Sequence, residues 1–249
     1  MPFAFSVLKG EAELSECPEL SHEEAEMLGG SIIKTDWREE LILKLREEVR
    51  DIPVLELGGD IGAEIRDGKL FLMCLGRPFT VSPDGDITTH GHITPWIKIL
   101  LLHYIRTTYA NLDYIRAINP NATEKWVSYS ELKSGMVKAT SFAREGEEPL
   151  KELLDSDPAN VEKVLERLGV VKRCDFPTTS AWLLRLLPKV PVILLYWPAE
   201  EGFPSKVKIL FNPSADRFLD AEAIVFLIEG FIKNIEVLLY LDKKRPAGP

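Results

Sequence analysis

Four histidines occur in the chain, and three of them, His90, His92 and His103, fall in one window. In an extended segment, His90-Gly-His92 would point both imidazoles to the same side, an arrangement able to hold a metal ion. The competing reading is an exposed loop after a hairpin. His103 sits beside Tyr104 in a helical pattern with Trp96, Leu100 and Leu101, which puts its imidazole at the edge of apolar surface. A histidine so placed can be an axial ligand or a hydrogen-bonding group for a bound cofactor, with a tetrapyrrole (haem or corrinoid) the group that most wants a single imidazole. Tyr104 and Trp126 are then the expected pocket walls. A satisfied core histidine is the alternative.

Other constellations are weaker. Cys174-Asp175 sets a thiol beside a carboxylate, which raises a thiol's pKa and blunts it as a nucleophile. There is no Gly-x-Ser-x-Gly elbow, and Gly58-Gly59-Asp60-Ile61-Gly62 has neither dinucleotide nor phosphate-loop spacing. Asn212, Asp216, Asp220 and Glu222 cluster after the last strand pattern. They are placed to bind a divalent cation or, more simply, to cap a loop and a helix.

The composition narrows the class. With 249 residues, 45% hydrophobic and 28% charged, the chain reads as an ordinary globular protein able to bury a full core. A formal charge of −9, without a basic run carrying interleaved aromatics, argues against nucleic acid as a partner. Three widely spaced cysteines with no Cys-x-x-Cys pair fit a reducing compartment and no single-chain cluster or zinc site. No apolar run approaches the roughly 20 residues that cross a bilayer. A cytoplasmic protein without a membrane segment is the expectation.

The elements that must position these residues follow from periodicity. Residues 1–20 form an irregular lead-in, and Ser21 with Glu24 gives a capping-box start to a helix ending at Gly29-Gly30. A second helix is predicted from Asp36 to Arg50, with Leu41, Leu45 and Val49 on one stripe. Period two then predicts short antiparallel strands over Val54–Leu57, Ala63–Arg66, Lys69–Leu75 and Pro78–Ser82, with Asp67-Gly68 as a hairpin turn. Thr94-Pro95 opens the helix that carries His103. Trp126 to Gly135 reads as a strand and then a turn or short helix, and further helices are predicted over Pro149–Leu154, Pro158–Leu168 and Thr179–Leu187. The most apolar fifty residues come last: a strand over Pro191–Trp197, a strand over Lys206–Phe211, and a long buried helix capped by Asp220. The tail, 243–249, carries no core residues and is expected to be disordered. One α+β domain spanning 1–249 is expected, a meander of hairpins packed with several helices.

Four phrases occur together and in order: Leu101-Leu-His-Tyr-Ile105, Trp126-Val-Ser-Tyr-Ser-Glu-Leu132, Pro191-Val-Ile-Leu-Leu-Tyr-Trp197 and Ile209-Leu-Phe-Asn-Pro-Ser-Ala-Asp216. In this the chain resembles an uncharacterised prokaryotic family, domain of unknown function 3786, from about residue 35 to 240. The resemblance implies a setting in anaerobic metabolism and supplies no catalytic residues. The cysteine-rich iron–sulfur segment fused to some members has no counterpart here. The functional expectation is a small-molecule or cofactor-binding accessory protein with His103, Tyr104 and Trp126 at its site. The alternative is an interaction module that docks on a partner enzyme, or a homodimer, through the acidic N-terminal helix and the wide apolar face of the last helix, and that holds no ligand of its own. A third is a metal-assisted hydrolase or transferase built on the Asn212 to Glu222 segment.

Overall fold

The computed structural model describes residues 14–25, 37–118, 125–178 and 180–244. Two antiparallel sheets and a set of helices share one core. The first sheet is a meander of β1 (Glu64–Arg66), β2 (Lys69–Cys74), β3 (Arg77–Val81) and β4 (Ile87–Thr88), in sequence order. The second runs β5-β9-β8-β7-β6, from β5 (Val127–Ser128), β6 (Val171–Arg173), β7 (Ser180–Leu187), β8 (Val190–Trp197) and β9 (Lys206–Phe211). The helices are α1 (Trp37–Arg50), α2 (Gly58–Ile61), α3 (Pro95–Ala110), α4 (Leu112–Ala117), α5 (Gly135–Phe142), α6 (Glu148–Ser156), α7 (Pro158–Arg167), α8 (Ala215–Phe218) and α9 (Ala221–Lys244).

The long last helix forms as its pattern predicts. Ile224, Leu227, Ile228, Phe231 and Ile235 are all buried, and α9 packs on α3, α5 and α7. Each such side chain contributes roughly 1.5–3 kcal/mol relative to exposure. Asp220 caps it, Oδ1 accepting from the Ala223 amide at 2.8 Å. The capping box is present too: the Ser21 amide donates to Glu24 Oε2 and the Glu24 amide to Ser21 Oγ. Where that helix ends, and whether Asp36 caps α1, lie outside the described residues, as do 1–13 of the lead-in and 245–249 of the tail.

Two predicted elements are corrected. Thr179–Leu187 is not a helix: Ser180–Leu187 is strand β7, paired with β6 on one side and β8 on the other. β7 is buried along most of its length, with Arg185 exposed, and its leucine-rich run of eight carries no clear period that separates strand from helix. Val54–Leu57 is a 3-10 turn leading into α2. Val54, Leu57 and Ile61 are the buried positions, a spacing of three and four that serves a helical face.

One backbone contact ties the sheets together. At the β2–β3 turn the Leu75 amide donates to the Leu186 carbonyl at 2.8 Å, and Asn234 Nδ2 of α9 donates to the Leu75 carbonyl at 3.0 Å. Glu147, in a π-turn between α5 and α6, plugs an unpaired stretch of β9. Its carboxylate accepts from the buried Ile209 amide at 3.1 Å and pairs with Lys208 Nζ at 3.0 Å. Cys74 is fully buried, and burial pushes its thiol up to about 12, which makes it inert. No helix of the described residues is long and apolar enough to cross a membrane.

Candidate functional site

Helix α3 begins at Pro95, whose missing N–H costs nothing in a first turn. Ile99, Leu100, Leu101, Leu102, Tyr104 and Ile105 are buried, leaving a narrow strip for anything polar. Trp96, Leu100 and His103 follow one another along one face of this helix, at spacings of four and three. Two helix starts meet that face. Trp37 and Leu41 come from α1, and Glu222, Ala223 and Phe226 from α9, with the cap residue Asp220 just before it. Between the three helices lies a cavity of about 210 Å³.

Its walls are aromatic. The Trp37 and Trp96 rings meet edge to face with centroids 5.4 Å apart, and Trp96 and Phe226 are tilted at 4.9 Å. Its polar groups are few. His103 Nδ1 lies 3.0 Å from the Arg106 guanidinium, which itself pairs with Glu48 at 3.0 Å. A guanidinium only donates, so Nδ1 is the acceptor and the ring proton belongs on Nε2. Among the described residues Nε2 has no partner. Asp220 Oδ2 stands 4.0 Å from Nδ1. Glu222 is paired with Lys138 at 3.2 Å.

Burial holds the His103 pKa below its ordinary 6.5, and the Arg106 charge pushes the same way. Asp220, Glu48 and Glu222 oppose the shift without reversing it. The imidazole is therefore neutral near neutral pH. Its folded value lies below its unfolded one, so its contribution to stability is complete above about 6.5 and falls as pH drops towards the folded pKa. His103→Gln is expected to flatten the acid side of the urea midpoint against pH, and the folded His103 ring should titrate below 6.5 by NMR. A ring that titrates above 6.5 would contradict this geometry.

The other predicted residues go elsewhere. Tyr104 points from the opposite side of α3 into the core. Its hydroxyl donates to the Ile61 carbonyl at 2.8 Å and accepts from the Lys189 amide at 3.2 Å. Burial drives its pKa far up. Trp126 packs in a separate cluster with Ala181, Ile193, Leu195 and Trp197 on the other face of the five-stranded sheet, away from His103. His90 and His92 are exposed, and what the fold grips there is their backbone: Arg77 donates to both carbonyls, at 3.3 and 3.1 Å. Among the described residues, no three His, Cys, Asp or Glu side chains gather as a metal site. The acidic cluster divides: Asp216 accepts from the Lys133 amide at 3.0 Å and Asn212 from Ser214, while Asp220 and Glu222 reach the cavity. Trp37 and Phe226 were missed as site residues. The available signal was Trp37 with Leu41 one turn apart at a helix start, and Phe226 on the flank of an otherwise aliphatic face.

Two larger openings lack this convergence. A groove of about 360 Å³ beside the meander is floored by Phe71, Met73 and Leu168, with Arg185 at its side. Another, of about 520 Å³, lies among Trp197, Phe203 and three prolines. Among the described residues, no histidine lines either of them.

A family model described as Domain of unknown function (DUF3786) matches residues 54–234. That span takes in both sheets, α3 and the cavity-lining start of α9, and leaves α1 outside. No curated protein and no solved structure matches the chain.

Proposed function

The chain belongs to the Domain of unknown function (DUF3786) family, whose name assigns no activity, and we propose from the cavity's own chemistry that it is a small-molecule-binding accessory protein. What carries the reading is the convergence of three aromatic rings on a neutral imidazole that offers one unpartnered N–H. Three unbridged cysteines fit a cytoplasmic setting, and a role in anaerobic metabolism is part of the same proposal.

The ligand is smaller than a haem or corrinoid. At about 210 Å³ the cavity lies below the roughly 300–1,000 Å³ of pockets that enclose drug-sized ligands. An axial imidazole also gives an unprotonated nitrogen to the metal and donates its other N–H to an acceptor. His103 does the reverse, accepting at Nδ1 from Arg106. It acts as a hydrogen-bond donor to the ligand, with Trp96 as wall in the place assigned to Tyr104 and Trp126.

Native mass spectrometry of protein purified without oxygen should show an added mass that is lost on denaturation. Trp96 is 36% exposed, so Trp96→Ala leaves the core intact. It is expected to lower ligand occupancy about tenfold, or ~1.4 kcal/mol. Full occupancy in that variant would overturn the assignment.

A second reading, a docking module or homodimer, draws on Val237, Tyr240 and Leu241, each more than half exposed on the last turns of α9. A mass in solution that doubles with concentration, and reverts in Leu241→Lys, would favour it.

A further inference from the structure

We infer that the cavity's ligand is a small methylated ammonium cation, one with no N–H on its nitrogen and an oxygen acceptor elsewhere. This rests on the small-molecule reading above and names its chemical class.

Charge comes first. Among the described residues no lysine or arginine lines the cavity, and both charged side chains at its rim, Asp220 and Glu222, are carboxylates. A carboxylate or phosphate ligand would meet repulsion there and find no cation to pair with. Glu222 already has Lys138. Asp220 spends Oδ1 on the α9 cap, and Oδ2 faces only the neutral His103 among the described residues. With Lys138 on Glu222 and the positive starts of α1 and α9 at the same face, Asp220 Oδ2 is the acceptor left to face a cation.

The walls come second. Trp37, Trp96 and Phe226 line the cavity with aromatic rings, whose faces attract a cation through the quadrupole. The Arg38 guanidinium already stands 6.0 Å from the Trp96 centroid, so the ring holds one cation from outside the cavity. Leu41, Ile99 and Leu100 complete the lining with aliphatic surface. Acceptors lie only at the carboxylate rim, so a primary ammonium carried deeper against this aliphatic and aromatic lining would lose hydrogen bonds, whereas a trimethylammonium head has none to lose. A bare metal ion would find too few oxygen ligands. Because burial and Arg106 keep His103 uncharged, it does not repel the cation, and its Nε2–H is available to a hydroxyl or carbonyl oxygen on the same molecule.

The probes are choline and its uncharged carbon isostere, in which tert-butyl replaces trimethylammonium, each titrated into the full chain by tryptophan fluorescence and calorimetry. Choline is expected to bind at least about tenfold more tightly than the isostere, a difference of one decade in Kd. Trp96→Ala should weaken choline about tenfold. Asp220→Asn keeps an acceptor for the cap and should weaken choline severalfold while leaving the isostere unchanged. Equal affinity for the two probes would overturn the cation inference and leave the cavity reading standing. So would the absence of choline binding up to about 10 mM in protein whose native mass spectrum carries a bound ligand. No probe binding and no retained mass would bring down both.

Discussion

Replacing Tyr129 by alanine is expected to cost about 3–5 kcal/mol of folding stability, the range for deleting a buried large aromatic. Tyr129 is 2% exposed and joins three segments. Its ring stacks on Phe142 of α5, with centroids 4.2 Å apart and planes within 6°, and meets Phe211 of β9 edge-on at 6.3 Å. Its hydroxyl donates to the Ala221 carbonyl in the first turn of α9 at 2.8 Å. Burial first, then the charges of Asp220 and Glu222, hold that hydroxyl up at about 12, so it stays a donor at any working pH. The Ala221 carbonyl belongs to the turn that carries the cavity's carboxylates, so Tyr129 also fixes the rim. Tyr129→Phe isolates the hydrogen bond: it keeps the stack and should cost only about 1 kcal/mol. Urea unfolding of the two variants separates packing from the polar tie. Equal losses would mean the stack contributes nothing.

The second large effect is Gly135→Ala, at the first residue of α5. A β-carbon there would stand 1.9 Å from the Tyr129 carbonyl oxygen and 3.0 Å from its carbon. Both are backbone atoms, so no rotamer change relieves the clash. The neighbouring bonds leave little slack, because the Leu132 amide is held by the Tyr129 carbonyl at 3.1 Å and the Gly135 amide by Leu132 at 2.9 Å. The whole tight turn must move, and the expected loss is about 3 kcal/mol or more. The adjacent Ser134 is the control. It has φ of 62°, in the left-handed region, and Ser134→Gly trades that strain against glycine's chain entropy for a net change within about 1 kcal/mol. A well-folded Gly135→Ala protein with an unchanged urea midpoint would refute the argument.

Much of this fold is legible in the sequence wherever a period meets a punctuating residue. The helix from Pro95, the strands ending at Trp197 and Phe211, and the helix capped by Asp220 are all of that kind. β7 is not, because its leucines follow one another on both faces and blur the alternation that marks a strand, and leucine favours a helix when nothing else decides. His103 could be singled out as the polar break in an apolar face of α3. What it faces could not, since Trp37 and Phe226 reach it from helices far away in sequence. Tyr104 shows the same limit from the other side. Adjacent residues on a helix point about 100° apart, so one lines the cavity while the next is buried against Ile61 and Lys189. Sequence proximity does not say which of two neighbours faces a cavity.

The tie at Leu75 bears on how the molecule is made. A ribosome delivers the meander first, and its hairpins can pair locally as they emerge. The Leu75 carbonyl, however, waits for a side chain 159 residues later, Asn234, and its amide waits for β7. The same late helix supplies the cavity's acidic rim and the apolar face that closes the core. Until α9 leaves the exit tunnel, the nascent chain therefore carries an open core and an unfinished site, and the emergence of that helix is the step that completes both.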